Sequence, residues 1–281
     1  MELYKTIRDV SSRITTLKKD GQIIGFVPTM GALHEGHISL IRLAREENNV
    51  VACSIFVNPI QFNNPEDLKK YPRTLEKDID MLKQAGCDIV FAPEPDEMYP
   101  EPVIHEYDFG MLDKVMEGKF RSGHFNGVAI VVKKLLDIIT PDNAYFGEKD
   151  FQQLAIIRKL VELESIPVNI IACPTVREPD GLAMSSRNVR LTESQRKTAP
   201  VIYRILKELK AKYSEENSEH LIEQAIKHLN QQPEMRVEYL EIVDSGSLQP
   251  LEYFNPMIPA RACIAVFLGD VRLIDNISLN L

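Results

Sequence analysis

The chain has 281 residues, of which 44% are hydrophobic and 26% are charged, as is typical of a globular protein with one large domain or two smaller ones. Its 41 acidic and 33 basic residues give a formal net charge of −8, which argues against a protein that wraps nucleic acid. No apolar run approaches the roughly 20 residues that cross a bilayer, and the first residues lack the apolar core of a signal peptide, so we expect a cytoplasmic protein with no membrane or nucleic-acid partner.

The first 175 residues alternate between helix-like and strand-like segments. In chain order, the hydrophobic pattern predicts a helix near 4–19, a strand at 22–28, a helix at 37–48, a strand at 50–56, a helix near 74–85, a strand at 88–91, a helix near 124–140, a strand near 143–146, a helix at 150–163 and a strand at 168–172. Such alternation indicates a parallel sheet with helices on both faces. We therefore predict an α/β fold with a Rossmann-like, doubly wound domain over residues 1–175.

The pattern changes near residue 176. A turn-rich, charged loop over 177–181 comes first. Two charged helices and three short strands are predicted after it, at about 193–212, 217–231, 237–243, 260–267 and 271–274. We predict that residues 176–281 form a second, smaller α+β domain that acts as a lid.

The cysteines are widely spaced and show no C-x-x-C pair. The four positions are Cys53, Cys87, Cys173 and Cys263. Most of them lie in apolar, strand-like segments, which favours reduced core residues over metal ligands or disulfides.

The most informative stretch runs from Pro28 to His37, where a predicted strand turns into a helix. The N–H groups and the positive dipole end of a helix N-terminus attract anions. Gly31 and Gly36 would let a ligand approach the backbone closely, and His34 and His37 can face the same way because they are three residues apart. The alternative is one helix-capping histidine beside an incidental neighbour, but the H-x-G-H pattern favours a phosphate site.

Polar side chains also occur at two other predicted element ends. Asn58 and Gln61 follow the strand at 50–56, and their uncharged amides suit a small polyol or hydroxy acid. The alternative is an Asn-Pro turn with a surface glutamine. Arg121 precedes the long apolar helix and could present its guanidinium group to a phosphate or carboxylate, while we interpret His124 as structural.

A second strand-to-helix turn lies at Gly147. The glycine allows close backbone approach, and Lys149 supplies a compact positive charge for a phosphate. Gln153 lies one turn beyond Lys149 on the same side, and Asp150 fits a helix cap or a first-turn acid. The alternative is a solvated helix start.

A serine-rich loop lies between the two predicted domains. Ser185 and Ser186 offer two hydroxyl groups, and with Arg187 they could hold successive phosphate oxygens. Such a loop can close over a substrate. Taken alone it is an ordinary linker, but together with the H-x-G-H motif it indicates an adenylate-forming site.

These motifs together resemble a known family. The H-x-G-H loop and the Met-Ser-Ser loop are similar to the HIGH and KMSKS pair of class I aminoacyl-tRNA synthetases and related nucleotidyltransferases. With the stretches at 56–62, 71–74 (Tyr-Pro-Arg-Thr) and 147–150, they resemble the pantothenate synthetase (pantoate-β-alanine ligase) family in order and spacing, over essentially the full length. One departure is Ser122, where the family commonly has a proline, and its loss would loosen the backbone beside Arg121.

The resemblance implies an AMP-forming ligase. It implies that ATP activates (R)-pantoate as pantoyl adenylate with release of pyrophosphate, and that β-alanine then displaces AMP to give pantothenate, the vitamin B5 precursor of coenzyme A. It also implies Mg²⁺ without an assigned protein ligand, and a homodimer. The alternatives are another nucleotidyltransferase of the same superfamily, which would retain the nucleotide on its product, and an ATP-binding regulator without turnover.

The resemblance also implies roles for individual residues. Six residues are expected to bind the phosphates as the catalytic set, with His37 as the donor to developing charge: His34, His37, Lys149, Ser185, Ser186 and Arg187. Six more are expected to contact the rest of ATP: Met30, Gly31, Gly147, Asp150, Val176 and Met184. Gln61 and Gln153 are expected to hold pantoate, with support from Asn58, and Arg121 is a further candidate for the pantoate and β-alanine site.

Overall fold

The computed structural model of the protein describes residues 1–63, 65–214 and 217–280. The chain divides into two compact units. The N-terminal unit comprises Met1–Phe109, Arg121–Glu148 and Gln153–Pro174. The C-terminal unit comprises Gly110–Phe120, Lys149–Gln152 and Thr175–Leu281, so two short segments that precede residue 175 group with the end of the chain.

The N-terminal unit contains a parallel sheet. Its strands are β1 (Glu2–Tyr4), β2 (Ile24–Thr29), β3 (Val50–Ile55), β4 (Ile89–Phe91), β5 (Asn143–Gly147) and β6 (Asn169–Cys173). They follow the spatial order β1-β4-β3-β2-β5-β6, with every neighbouring pair parallel. The predicted α/β fold with a Rossmann-like parallel sheet is therefore confirmed. The sequence pattern misses only β1, since three residues are too few to show a period.

Helices connect these strands. The first eight are α1 (Ile7–Lys19), α2 (Glu35–Glu47), α3 (Pro65–Lys70), α4 (Leu75–Gln84), α5 (Pro95–Met98), α6 (Met116–Phe120), α7 (His124–Ile139) and α8 (Phe151–Leu163). The five long ones match the predicted helices within a few residues, while the shorter α3, α5 and α6 are not predicted. Helix α7 is buried along most of its length, as its apolar sequence predicts. Among the helices described, none is long and apolar enough to cross a membrane.

The strand order creates a switch point between β2 and β5. Strand β2 pairs with β3 on one side and with β5 on the other. The chain runs outward from β2 through β3 to β4 and then crosses back to β5 and β6 on the opposite side of β2. In open sheets of this kind, ligands bind beyond the carboxyl ends of the strands at such a switch point. Thr29 and Gly147, the last residues of β2 and β5, therefore lie at the edge of the sheet at which a ligand is expected.

The interior of the N-terminal unit is apolar. One buried cluster packs residues of β2, β3, α2 and α4 together with Cys53, Cys87 and Cys173. All four cysteines of the chain lie among the described residues, are buried and carry free thiols. Burial raises the pKa of Cys87 and Cys263 to about 12, that of Cys173 to about 11, and that of Cys53 well above its ordinary value. The prediction of reduced core cysteines is confirmed.

The C-terminal unit contains an antiparallel sheet covered by helices. Its elements after α6 are α9 (Glu193–Thr198), α10 (Val201–Lys212), α11 (Ser218–Asn230), β7 (Met235–Asp244), β8 (Ala260–Leu268) and β9 (Val271–Ser278), with the sheet order β7-β8-β9. The predicted α+β character of this region is therefore observed. The helix predicted over 193–212 is divided at Pro200, which has no backbone N–H to continue α9.

A buried ionic cluster attaches the 110–120 segment to this sheet. Arg272 of β9 donates to both carboxylate oxygens of Glu117, at 2.8 and 2.7 Å, and also to Glu238. Tyr239 donates to Glu117 as well, at 2.8 Å. Although burial alone would lower the pKa of Arg272, the hydrogen bonds and charges of the two glutamates outweigh it and raise that pKa. Gln152 binds the backbone of the same segment, which places the start of α8 in the C-terminal unit.

Candidate functional site

The loop after β2 has a left-handed backbone. Gly31 has a φ of +79° and Ala32 a φ of +51°, a region that favours glycine. A Cβ atom at Gly31 would lie 3.0 Å from Asp78 Oδ2 and 3.1 Å from Ile55 Cγ2. Glycine at this position is therefore favoured both by the backbone angle and by the close approach of Asp78 and Ile55.

The two histidines of the motif cap helix α2. His34 is the N-cap residue, and its Nδ1 accepts a hydrogen bond from the Gly36 N–H at 3.2 Å. Nδ1 of His37 accepts from the His34 N–H at 3.3 Å, which completes a capping box. The ring centroids lie 4.1 Å apart. The helix-capping role that the sequence left open is thus present, and both rings take part in it.

The capping bonds determine which ring nitrogen carries the proton. Because Nδ1 accepts a hydrogen bond in both rings, the proton of each neutral imidazole resides on Nε2. Each ring therefore has an Nε2–H donor at the N-terminus of α2. Two such donors and the helix dipole form an arrangement suited to anionic oxygens.

The turn after β3 holds two buried amides. Asn58 is fully buried and Gln61 is 8% exposed, so the alternative of a surface glutamine is wrong. Asn58 bonds the Gly127 carbonyl, the Tyr99 hydroxyl and the Gln61 side chain at 3.0, 2.9 and 3.2 Å, which gives it a supporting role. The Gln61 amide in turn donates to the Met30 sulfur at 3.0 Å. Gln61 thus lies against the H-x-G-H loop.

Helix α7 packs tightly against this turn. A Cβ atom at Gly127 would lie 2.7 Å from the Gln61 Cα atom, so only glycine permits the approach. His124 is buried, and its Nδ1 lies 2.9 Å from the Gln61 carbonyl oxygen. The turn that carries Gln61 is therefore held in place by its contacts with α7.

The segment before α7 carries Arg121. The Arg121 side chain is half-buried, and its carbonyl accepts from the His124 N–H at 3.0 Å. The Ser122 carbonyl accepts from the Asn63 side chain, and Gly123 follows with a φ of +78°. At Ser122 the turn is thus held by a hydrogen bond.

The turn after β5 contributes residues to both units. Gly147 ends β5, and apart from Gly147 and its two chain neighbours no described residue has an atom within 4 Å of the position that a Cβ atom would take there. In the C-terminal unit, the Lys149 ammonium lies 3.6 Å from the Asp150 carboxylate, and its side chain is 18% exposed. The Lys149 carbonyl accepts from the Asn276 amide at 2.9 Å. Gln153, half-buried on α8, belongs to the N-terminal unit.

A hairpin in the C-terminal unit carries the other predicted ATP residues. Met184 donates its N–H to the Val176 carbonyl at 3.0 Å, so these two residues are neighbours across the hairpin. Ser185 follows and caps a 3-10 turn over Ser186–Arg190, since its Oγ accepts from the Arg187 N–H at 3.2 Å. Ser186 and Arg187 are therefore the first two residues of this turn.

Sequence reasoning missed the residues that support the hairpin. Asp275 accepts two bonds from the Arg177 guanidinium group, at 2.7 and 2.9 Å, and this group also bonds the Gly181 carbonyl. The next residue, Asn276, holds Lys149. Both residues are nearly buried on β9. They lie beyond the strand predicted at 271–274, because polar residues interrupt the apolar pattern. The local sequence contains no signal for them.

The structure brings the predicted residues together within each unit. In the N-terminal unit one set lies after β2, after β3 or at the end of β5, at the same edge of the sheet: Met30, Gly31, His34, His37, Asn58, Gln61 and Gly147. In the C-terminal unit, the hairpin residues and Lys149 are linked through adjacent positions of β9. Within the described part of the chain, no group of three or more histidine, cysteine, aspartate or glutamate side chains is arranged to hold a metal ion.

Sequence comparison finds relatives along the whole chain. The family model described as pantoate-beta-alanine ligase matches residues 2–278. A pantothenate synthetase from Porphyromonas gingivalis is 50% identical over 277 residues, which cover 99% of both chains. One from Bacteroides thetaiotaomicron is 48% identical over 280 residues, which cover 99% of this chain and 98% of the relative.

Structural comparison agrees with the sequence relatives. The crystal structure of pantothenate synthetase from Thermus thermophilus has a TM-score of 0.93, with 41% identity and full coverage of both chains. A pantoate-beta-alanine ligase from Francisella tularensis, crystallised with beta-gamma ATP and beta-alanine, has a TM-score of 0.84 and 40% identity and covers 100% of this chain and 98% of its own.

Proposed function

Because the chain belongs to the pantoate-beta-alanine ligase family, we propose that it joins (R)-pantoate to β-alanine through a pantoyl-adenylate intermediate. The observation that carries this proposal is the pair of Nε2–H donors on His34 and His37 at the start of α2, beside the switch point of the sheet. The Francisella tularensis relative was crystallised with beta-gamma ATP and beta-alanine. We therefore expect ATP and β-alanine to be the co-substrates.

The proposed reaction has two displacements. A pantoate carboxylate oxygen attacks the α-phosphorus of ATP, and the bond to the bridging oxygen breaks to release pyrophosphate. The amine of β-alanine then attacks the acyl carbon of the adenylate, AMP leaves with the bonding electrons, and the nitrogen loses a proton to give the amide. Both steps depend on positioned donors and cations more than on a strong base, since negative charge develops on phosphate oxygens.

We assign the phosphates of ATP to the following donors and cations. His34 and His37 donate through Nε2, and Lys149 adds a positive charge. Three residues at the start of the 3-10 turn complete the set: Ser185, Ser186 and Arg187. Six further residues are proposed to contact the rest of the nucleotide: Met30, Gly31, Gly147, Asp150, Val176 and Met184.

We assign pantoate to the amides. We propose that Gln61 binds the hydroxyl and carboxylate groups of pantoate, because the Gln61 side chain is held between Asn58 and Met30. Gln153 and Arg121 are the further candidates for the pantoate and β-alanine site. The buried, fully bonded Asn58 acts as the support that keeps the Gln61 amide in place.

Magnesium, the homodimer and the cytoplasmic location are further parts of the proposal. Mg²⁺ would enter with ATP, where it offsets the repulsion between phosphate oxygens, held largely by those oxygens and water. The family resemblance supports a homodimer. Four buried free thiols suit a reducing, cytoplasmic environment.

A pyrophosphate-exchange assay tests the proposed reaction. We expect the protein to incorporate labelled pyrophosphate into ATP only when pantoate is present, and to release AMP only after β-alanine is added. A product that retains the nucleotide would instead identify another nucleotidyltransferase of the superfamily. ATP binding without exchange for any candidate acid would identify a regulator without turnover.

We predict that Gln61→Ala weakens the use of pantoate. Loss of the buried amide should raise the KM for pantoate roughly tenfold to hundredfold, because a hydroxyl or carboxylate group of the acid loses its partner in a desolvated site. The KM for ATP should change little. Steady-state kinetics with Gln84→Ala, an exposed glutamine at the end of α4, provide the control. Unchanged pantoate kinetics in Gln61→Ala would refute the assignment.

A further inference from the structure

A buried carboxylate lies beneath the H-x-G-H loop. Asp78 of α4 is 1% exposed. Its Oδ2 accepts the Ala32 N–H at 2.9 Å, and its Oδ1 accepts the Leu33 N–H at 2.8 Å and the Thr74 hydroxyl at 3.1 Å. Burial of a charged group is unfavourable unless hydrogen bonds compensate for it, and both oxygens of Asp78 are bonded. The proposed reaction does not use this group.

Asp78 accepts hydrogen bonds from the part of the loop whose backbone conformation is left-handed. Ala32 adopts a left-handed φ although it has a Cβ atom, and it follows Gly31, which is also left-handed. Such a conformation persists only where the surroundings hold it. The two amides bonded to Asp78 belong to Ala32 and to the next residue, so the carboxylate acts at the strained position itself.

The held segment leads directly into the histidine pair. Leu33 precedes His34, the N-cap of α2, whose ring and backbone set the position of both imidazoles. On the other side of the loop, Met30 contacts the Gln61 amide. A shift of residues 32–33 would therefore move the histidine donors relative to the start of the helix.

We propose that Asp78 is a positioning residue, which holds the H-x-G-H loop in the conformation that presents His34 and His37 to the phosphates of ATP. This inference rests on the proposed function and deepens it. Asp78 acts through the loop backbone and touches no substrate itself.

The inference also gives a role to the Tyr-Pro-Arg-Thr motif, which the assignment of ATP and pantoate residues leaves unused. Thr74 is the N-cap residue of α4, and its carbonyl accepts the Asp78 N–H at 2.9 Å while its hydroxyl bonds the Asp78 carboxylate. Tyr71 is buried, and its ring packs edge-on against Phe62 at 5.8 Å. The motif thus ends at the N-cap of α4, where Thr74 bonds both the backbone and the carboxylate of Asp78.

The test compares Asp78→Asn with Asp80→Asn in the pyrophosphate-exchange assay. Asparagine keeps the shape of Asp78 but replaces one acceptor oxygen by an NH₂ group, which faces a backbone N–H and cannot accept it. Asp80 is exposed on the same helix and provides the matched control. We expect kcat/KM for ATP to fall by about 10² in Asp78→Asn, as for a misplaced catalytic group, and to stay within about twofold of wild type in Asp80→Asn.

A second substitution separates positioning from general stability. Glycine at position 32 adopts a positive φ without the Cβ penalty. The kcat/KM for ATP of the double variant Asp78→Asn/Ala32→Gly should therefore be at least about threefold higher than that of Asp78→Asn alone. Activity is measured well below the unfolding midpoint of each variant, and the folded fraction is checked by circular dichroism. A purely structural role for Asp78 would lower the concentration of active enzyme and leave the KM for ATP and the rate per folded molecule unchanged.

The outcomes distinguish this inference from the proposed function. Wild-type protein without pantoate-dependent exchange would overturn the proposed function. Active wild type with Asp78→Asn equal to Asp80→Asn would overturn the positioning role alone. If Asp78→Asn does not fold, Thr74→Val carries the test, since it removes one hydrogen bond to the same carboxylate, and we then expect a fall of roughly threefold to tenfold. Unchanged kcat/KM for ATP in Thr74→Val would overturn the inference.

Discussion

The substitution His37→Ala is expected to lower the rate of pantoate-dependent pyrophosphate exchange by roughly 10² or more, as the loss of a transition-state donor typically does. In the proposed reaction, negative charge grows on the α-phosphate and on the departing pyrophosphate. The Nε2–H of His37 is the proposed donor to that charge. The effect should therefore fall on the adenylation step and leave the affinity for β-alanine unchanged.

Alanine removes more than the donor, because the His37 Nδ1 also accepts the His34 N–H. Asparagine and glutamine separate these two roles, since the amide of asparagine can replace Nδ1 and that of glutamine can replace Nε2. We expect His37→Asn to preserve the helix cap and the thermal unfolding midpoint but to lose activity like His37→Ala. His37→Gln should retain more activity than either, because it keeps a donor near the Nε2 position.

Exchange rates and thermal unfolding of the three variants check this prediction. If His37 donates to the phosphates, His37→Asn will have low activity and an unchanged thermal unfolding midpoint. Wild-type exchange in His37→Asn would remove His37 from the chemistry and leave it as a capping residue only.

The substitution Lys149→Met is expected to lower the exchange rate by about 10² to 10³. Methionine keeps the length of the side chain and removes its charge, so the phosphates would lose a cation while the packing of the turn is retained. The carbonyl of Lys149 is bound by Asn276, and this contact does not depend on the side chain. The structure of the turn should therefore survive the substitution.

Two further variants provide the comparison. Lys159→Met removes a surface cation of α8 that pairs with Glu162, and its exchange rate should stay within about twofold of wild type. Lys149→Arg keeps the charge in a planar group and should retain part of the activity. Measurement of KM for ATP and kcat for all three variants tests the assignment, and a wild-type rate in Lys149→Met would contradict it.

The fold was accessible from the sequence because its elements are long and periodic. Helix α7 and strands β2 and β3 have apolar patterns that reveal their type and order, and their alternation implies parallel pairing. The errors have local causes: β1 is only three residues long, and Pro200 interrupts an otherwise helical pattern. Strand β9 runs past its predicted end because Asp275 and Asn276 are polar yet nearly buried.

The candidate site was accessible in part. Motifs such as H-x-G-H carry their chemistry within a few residues, so the sequence could identify His34, His37, Gln61 and Lys149 as candidates for binding. It could not show that the Gln61 amide is buried, or that both histidines cap α2 through Nδ1. These properties depend on the conformation that the loop adopts against its neighbours.

By itself, the sequence determined the fold class, the family and the chemical types of the site residues, because these reside in short motifs and in local periodicity. Tertiary structure alone decided what holds those motifs in place. The bond from Ala32 to Asp78 spans 46 positions, and that from Arg177 to Asp275 spans 98. Such contacts depend on how distant elements pack, and a local sequence pattern carries no signal for that packing. These contacts in turn hold the conformation of the loops that carry the predicted site residues.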